Sequence, residues 1–183
     1  LLSFTVAVLA AILYASLGLG PFVTGLACLA LAYLYSSQPV RLKGTPVADL
    51  VSHALMLAGL QFLAAYLTFD GGPFPQWASP LVLVLAVSLY GQLFNELRDF
   101  EADRRAGVTH TASVLGPRAA HLLMMVWFCI AIASALITIL VVRLIPIWVL
   151  VIMIALAALL SWPRLSRVRR ARSTIELHQP LQK

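Results

Sequence analysis

The chain has 183 residues, of which 61% are hydrophobic and 11% are charged, and its mean hydropathy is +0.93. A soluble domain of this size carries roughly 25% charged residues, so the composition excludes an ordinary soluble fold and indicates a membrane protein. The net charge is +6, with the basic residues at the ends of apolar segments. That placement sets orientation and favours anionic lipid, so membrane lipid is an expected partner and nucleic acid is not.

The apolar segments predict an all-α fold, a polytopic transmembrane helical bundle of about six spanning helices. No charged residue occurs between Leu1 and Val40, a run too long for one span of about 20 residues, and the turn Gly18–Pro21 divides it in two. Continuous apolarity without alternation excludes a β-barrel. The predicted helices cover residues 1–17, 21–38, 49–68, 80–95, 119–142 and 146–162, with Asp49 as a candidate N-cap and Pro80 at a helix start.

The basic residues predict which loops share a side of the membrane. Eleven lie in the second and fourth connections and after the last helix, whereas the opposite side has Arg143 alone. The positive-inside rule then places both motif loops and the C-terminal tail on the cytoplasmic side. The expected organisation is a helical bundle over residues 1–163 and a basic cytoplasmic tail over residues 164–183.

Four of the seven acidic residues lie within eight positions, at Glu96, Asp99, Glu101 and Asp103. The fourth predicted helix is expected to continue through this motif, so that Asn95, Asp99 and Asp103, at successive spacings of four, lie on one face. Two carboxylates about 6 Å apart repel by roughly 3 kcal/mol at an effective dielectric of 20, and a divalent cation removes that repulsion. Oxygen ligands favour Mg²⁺, so these three residues are candidate metal ligands.

The same cluster is also compatible with a solvated helix end. In that interpretation Glu96, Asp99 and Asp103 form ion pairs with Arg98, Arg104 and Arg105. Such surface pairs are common and contribute little to stability. Spacing alone does not decide between the two interpretations. His110, in the loop past Gly107, is expected at the surface.

A second group of polar residues, Tyr35, Arg41 and Lys43, follows the second predicted helix. A tyrosine hydroxyl and two cations at the mouth of a helical bundle could hold a diphosphate. They could equally be an interfacial aromatic residue followed by basic residues that set topology. Their predicted position on the same side as the carboxylates favours a shared site.

Together these two stretches resemble the UbiA superfamily of intramembrane prenyltransferases. Tyr35–Lys43, which reads YSSQPVRLK, is similar to the family's YSxxPxRLK loop. Asn95–Gly107, followed by Thr111–Gly116, is similar to the family's second aspartate motif with its trailing DRxxG. Their order and two-span separation also match.

The resemblance implies a bundle of about nine helices that transfers an isoprenyl group from an allylic isoprenyl diphosphate to an aromatic or other lipophilic acceptor within the membrane. It implies an enzyme with Mg²⁺ as cofactor. Asp99 and Asp103 would be the catalytic metal ligands, with Asn95 contributing. Tyr35, Arg41, Lys43 and Arg104 would contact the diphosphate.

The family's first aspartate motif would precede Leu1, and the six predicted helices correspond to the family's third to eighth. We therefore expect an incomplete copy that does not catalyse transfer by itself. One alternative is a non-catalytic scaffold or degenerate family member, and another is an ion-coupled transporter that uses Asp99 and Asp103. A CDP-alcohol phosphotransferase is disfavoured because its DGxxAR…GxxxDxxxD pattern does not occur in the sequence.

Overall fold

The computed structural model describes residues 2–38, 40–69, 73–143, 146–157 and 159, and every regular element among them is helical. Its contacts divide the chain into a unit of residues 1–142 and a second of residues 143–183. In the first unit the α-helices are α1 (Leu2–Ser16), α2 (Leu19–Ser36), α3 (Ala48–Ala54), α4 (Leu60–Thr68), α5 (Phe74–Arg98), α6 (Phe100–Arg105), α7 (Thr111–Leu115) and α8 (Pro117–Leu136). A 3₁₀ turn spans Leu42–Gly44, and π-helical turns at Leu55–Gly59 and Ile137–Val141 join α3 to α4 and extend α8.

The all-α membrane bundle predicted from the sequence is confirmed. Within the part of the chain that the structure describes, four helices are long and apolar enough to cross a bilayer, namely Leu19–Ser36, Ala48–Thr68, Gln76–Arg98 and Pro117–Val141. The first and last predicted spans correspond to shorter apolar helices, Ser3–Ser16 and Ile147–Ala157, the latter within the second unit. The predicted tail, residues 164–183, lies outside the described residues.

Two predictions about the helix that carries the acidic cluster were wrong. The helix α5 begins at Phe74 rather than Pro80, so Pro80 is inside it. A membrane helix tolerates an internal proline when neighbouring groups satisfy the backbone that it frees. The helix also does not continue through the motif, because it ends at Arg98 and α6 begins at Phe100. At the break, Asp99 has φ −94° and ψ 3°.

The helix α5 is central to the first unit, packing most extensively against α8 and also against α3. Leu50, Leu93 and Met124 form the buried core where these helices meet. Large apolar side chains are exposed along the outer helices, for example Phe4 and Leu122. In a membrane protein this exposed apolar surface faces lipid rather than water.

Small residues allow the backbones of neighbouring helices to approach closely. Gly25 of α2 is buried against Tyr14 of α1, where an added Cβ would lie 2.4 Å from the tyrosine Cδ2. Ala86 of α5 and Ala120 of α8 are completely buried. A larger side chain at Gly25 would not fit without a shift of Tyr14.

Candidate active site

A polar pocket of about 730 Å³ lies in the first unit, at the end of α5. It brings together the two groups of polar residues that are separated by about fifty positions in the sequence. Six of the seven predicted site residues line it, namely Tyr35, Arg41, Lys43, Asn95, Asp99 and Asp103. Arg104, the seventh, is exposed on α6 and does not line the pocket.

One wall of the pocket is the segment between α2 and α3. Tyr35 lies in the last turn of α2, and the backbone then turns sharply enough that Arg41 has φ 41° and Val47 has φ 68°. Positive φ is unusual for any residue with a side chain, and especially for a β-branched one. The Val47 N–H donates to the Thr111 hydroxyl at 2.8 Å, so the first residue of α7 helps to hold this strained backbone.

The other wall is the end of α5 and the helix α6. Asn95, Asp99 and Asp103 all line the pocket despite the break at Asp99, because i→i−4 backbone hydrogen bonds continue across it. The Asp99 N–H donates to the Asn95 carbonyl at 3.0 Å, and the Asp103 N–H donates to the Asp99 carbonyl at 2.9 Å. The one-face arrangement that the spacing predicts is therefore preserved across the break at Asp99.

Asp99 forms a two-point ion pair with its neighbour Arg98. Arg98 Nε and Nη2 donate to the two carboxylate oxygens at 2.9 and 2.8 Å, and both side chains are about half exposed. The hydrogen bonds from Arg98 lower the pKa of Asp99 below its ordinary value. Asp99 is therefore ionised throughout the physiological pH range, as a metal ligand must be.

Asp49 also lines the pocket and connects two of the elements around it. Its side chain is completely buried, and its carboxyl group accepts hydrogen bonds from the hydroxyl and the N–H of Thr111, the latter at 3.1 Å, as well as from the Leu50 N–H at 2.7 Å. The predicted role of Asp49 as an N-cap was wrong, because Val47 is the residue at the cap and Asp49 lies inside α3. The carboxyl group instead joins α3 to the start of α7.

Glu96 and His110, two further buried residues, also line the pocket. Glu96 is 5% exposed, and its carboxyl group accepts hydrogen bonds from the Ala112 N–H at 2.8 Å and from Gln92 at 3.2 Å. His110 is 4% exposed, with Nδ1 3.2 Å from Glu96 and Nε2 3.3 Å from Asp103. The expectation that His110 lies at the surface was wrong.

These contacts differ from the alternative in which each acidic residue of the cluster pairs with an arginine. Among the described residues, Arg98 pairs with Asp99, whereas Glu96 and Asp103 both approach His110. Asp49, Glu96 and His110 were not predicted as contributors to the site. For Asp49 and Glu96 a signal was available, because an ionisable residue within an apolar span usually faces the bundle interior and has a partner there.

The family model of the UbiA prenyltransferase family matches residues 1–177. The chain belongs to this family. The resemblance carried by the two motifs is thereby confirmed over nearly the whole chain.

Three relatives show which UbiA family members are similar to this chain. A lycopene elongase/hydratase of Haloferax volcanii is 35% identical over 101 residues, covering 55% of this chain and 31% of the relative. A chloroplastic 2-acylphloroglucinol 4-prenyltransferase of Humulus lupulus is 29% identical over 127 residues, covering 64% and 30%. A probable chloroplastic homogentisate phytyltransferase 2 of Oryza sativa subsp. japonica is 34% identical over 113 residues, covering 54% and 28%.

The matched segments thus span about 30% of the length of each relative. No solved structure matches the chain. Membership of the UbiA family is therefore established by sequence.

Replacing Asp49 tests the buried connection between α3 and the start of α7. Asp49→Ala leaves the Thr111 and Leu50 donors without their acceptor, so we expect a loss of roughly 2–4 kcal/mol in the free energy of unfolding. Thermal unfolding in detergent or nanodiscs measures it. Glu101→Ala, which removes an exposed carboxylate from α6, is the matched control and should change stability by less than about 0.5 kcal/mol. Equal stability of the two variants would contradict the role given to Asp49.

Proposed function

We propose that this chain forms part of the active site of a membrane-embedded prenyltransferase, which transfers an isoprenyl group from an allylic isoprenyl diphosphate to a lipophilic or aromatic acceptor. The observation that carries the proposal is one pocket lined both by the carboxylates Asp99 and Asp103 and by Tyr35, Arg41 and Lys43. Carboxylates and cations that line the same polar pocket suit a metal–diphosphate ligand. Membership of the UbiA family supports the same chemistry.

The donors that line the pocket fit Mg²⁺ as a partner of the diphosphate. No group of three or more His, Cys, Asp or Glu side chains is arranged to hold a metal among the described residues. Mg²⁺ requires no such group, since it keeps several waters and is typically bound by one or two carboxylates together with substrate phosphates. Asp99 and Asp103 would supply the carboxylates, and the Asn95 amide oxygen would contribute a further contact. When bound, Mg²⁺ would neutralise charge on the departing diphosphate.

The residues of the other wall would hold the diphosphate. Arg41 and Lys43 are exposed at the pocket and carry the positive charge that a diphosphate requires, and the half-buried Tyr35 hydroxyl can donate to a phosphate oxygen. These donors stabilise the transition state more than the ground state, because negative charge on the diphosphate increases as the carbon–oxygen bond breaks. Arg104, which lies outside the pocket lining, would act on the diphosphate at most from the edge.

The apolar helices would provide the surroundings in which the carbon–oxygen bond breaks and the acceptor reacts. The carbon–oxygen bond breaks with both electrons leaving on the diphosphate, and the resulting allylic cation is attacked by an electron pair of the acceptor, which then loses a proton. Exclusion of water protects the cation from hydrolysis. The relatives are named for lycopene, acylphloroglucinol and homogentisate substrates, so we propose a lipophilic or aromatic acceptor without choosing among them.

Binding of geranyl diphosphate tests the proposed function. We expect Mg²⁺-dependent binding that chelation abolishes and that Asp99→Ala and Asp103→Ala each weaken by at least about tenfold, equivalent to 1.4 kcal/mol. Isothermal titration of the chain in nanodiscs measures the affinity.

Glu101→Ala is the control, because it removes a neighbouring carboxylate that does not line the pocket. Unchanged affinity in both aspartate variants would remove them from the site. It would favour a non-catalytic scaffold whose aspartates serve the structure. A transporter would instead bind its coupling ion without requiring the diphosphate.

We also propose that the pocket opens to the cytoplasmic side, as the distribution of basic residues predicts. In a variant with Cys28 and Cys129 replaced, a single cysteine at the exposed Glu101 position should react with a membrane-impermeant maleimide only in inside-out vesicles. A cysteine at Phe74, at the opposite end of α5, should react only in right-side-out vesicles. The reverse pattern would invert the orientation.

A further inference from the structure

His110 is held on one edge of its ring by the backbone of α7. Ser113 N–H donates to His110 Nδ1 at 3.2 Å, and the Ser113 hydroxyl oxygen accepts from the His110 N–H at 2.9 Å. Together these bonds cap the helix. Glu96 is 3.2 Å from the same Nδ1, and Glu96 is itself held by Ala112. The ring therefore has a fixed orientation.

The opposite edge of the ring carries the hydrogen. Because Ser113 N–H donates to Nδ1, that nitrogen presents its lone pair, and the hydrogen of the neutral ring is on Nε2. The donor at Nε2 thus follows from the hydrogen bond that Nδ1 accepts.

That donor has no satisfactory acceptor among the described residues. His110 Nε2 is fully buried and is the one buried side-chain nitrogen or oxygen without a hydrogen-bond partner among the residues that the structure describes. Asp103 Oδ2 is 3.3 Å away, close enough for an ion pair, but the contact does not meet hydrogen-bond geometry. A buried donor without a partner is rare in proteins. This one lies beside a predicted metal ligand at the pocket.

We propose that His110 is a positioning residue for Asp103. Its Nε2–H holds one oxygen of the Asp103 carboxylate, and the contact shortens into a hydrogen bond when a metal–diphosphate binds at the other oxygen. Groups that hydrogen-bond a ligating carboxylate in this way orient it and strengthen metal binding. The inference rests on the proposed function, because it requires Asp103 to face a metal. It adds a chain of contacts from Glu96 through His110 to Asp103 that fixes the acidic wall.

Two substitutions separate positioning from helix capping. His110→Asn keeps a side-chain acceptor for Ser113 N–H, and asparagine is a favoured N-cap, but its shorter side chain lacks the donor that faces Asp103. His110→Gln places an amide donor near the Nε2 position. The probe is Mn²⁺, titrated by electron paramagnetic resonance into the full chain in nanodiscs with geranyl diphosphate present. The same substitution at the exposed His121, His121→Asn, is the matched control.

We expect His110→Asn to weaken Mn²⁺ binding about tenfold, with His110→Gln recovering most of the affinity and His121→Asn unchanged. In an Asp103→Asn background, His110→Asn should have no further effect, since the two residues act as one unit. Unfolding temperatures of the variants should stay close to that of the unsubstituted chain.

Three results would overturn the inference. Unchanged Mn²⁺ affinity in His110→Asn, with Asp103→Ala still impaired, would leave the proposed function standing and reduce His110 to a helix cap. Equal losses in His110→Asn and His110→Gln, accompanied by lower unfolding temperatures, would assign His110 a structural role. Failure of the unsubstituted chain to bind Mn²⁺ with geranyl diphosphate would remove the proposed function and, with it, this role of His110.

Discussion

The carboxyl group of Asp49 is buried at the pocket, where α3 meets the start of α7, and it accepts from both the N–H and the hydroxyl of Thr111. A carboxyl group without such donors would be strongly unfavourable in this position. Thr111 must therefore stay beside α3, and with it the loop that follows the acidic motif. The Thr111 hydroxyl also accepts from the Val47 N–H, and Thr109 donates to the Gly44 carbonyl at 3.2 Å. The position of the cationic wall thus depends on the same few contacts.

A site for an anionic ligand has to keep its own carboxylates and cations from neutralising each other. In this protein the two sets come from different elements around the pocket, and other residues hold each set in place. Asp99 forms an ion pair with Arg98 of the same wall. Asp103 contacts His110, and His110 in turn contacts Glu96. Arg41 and Lys43 are exposed on a backbone with positive φ at two non-glycine residues. Strain of this kind persists where surrounding contacts fix the backbone, and here the Thr111 contact does so.

Sequence patterns predicted the parts of this structure that depend on local chemistry. Apolar length predicted the helices, and the spacing of Asn95, Asp99 and Asp103 predicted that they share a face. The break at Asp99 was not predictable, because Arg98-Asp99-Phe100 contains neither glycine nor proline. The pairing of Asp49 with Thr111 was also beyond local patterns, since the two residues are 62 positions apart. The burial of His110 follows from that pairing, which draws the start of α7 into the bundle.

The central claim is that buried contacts hold the loop before α3 against the loop before α7. Cross-linking tests it most directly, with cysteines at Gly44 and Thr109 in a chain whose own cysteines are replaced. A short bis-methanethiosulfonate reagent should join this pair efficiently in membranes. The reagent should join the same pair poorly once Asp49→Ala is added. As a control, it should not join cysteines at Gly44 and Phe74, because Phe74 begins α5 about 30 Å from Asn95 at 1.5 Å per residue. Absence of the Gly44–Thr109 cross-link, or its persistence after Asp49→Ala, would contradict the account.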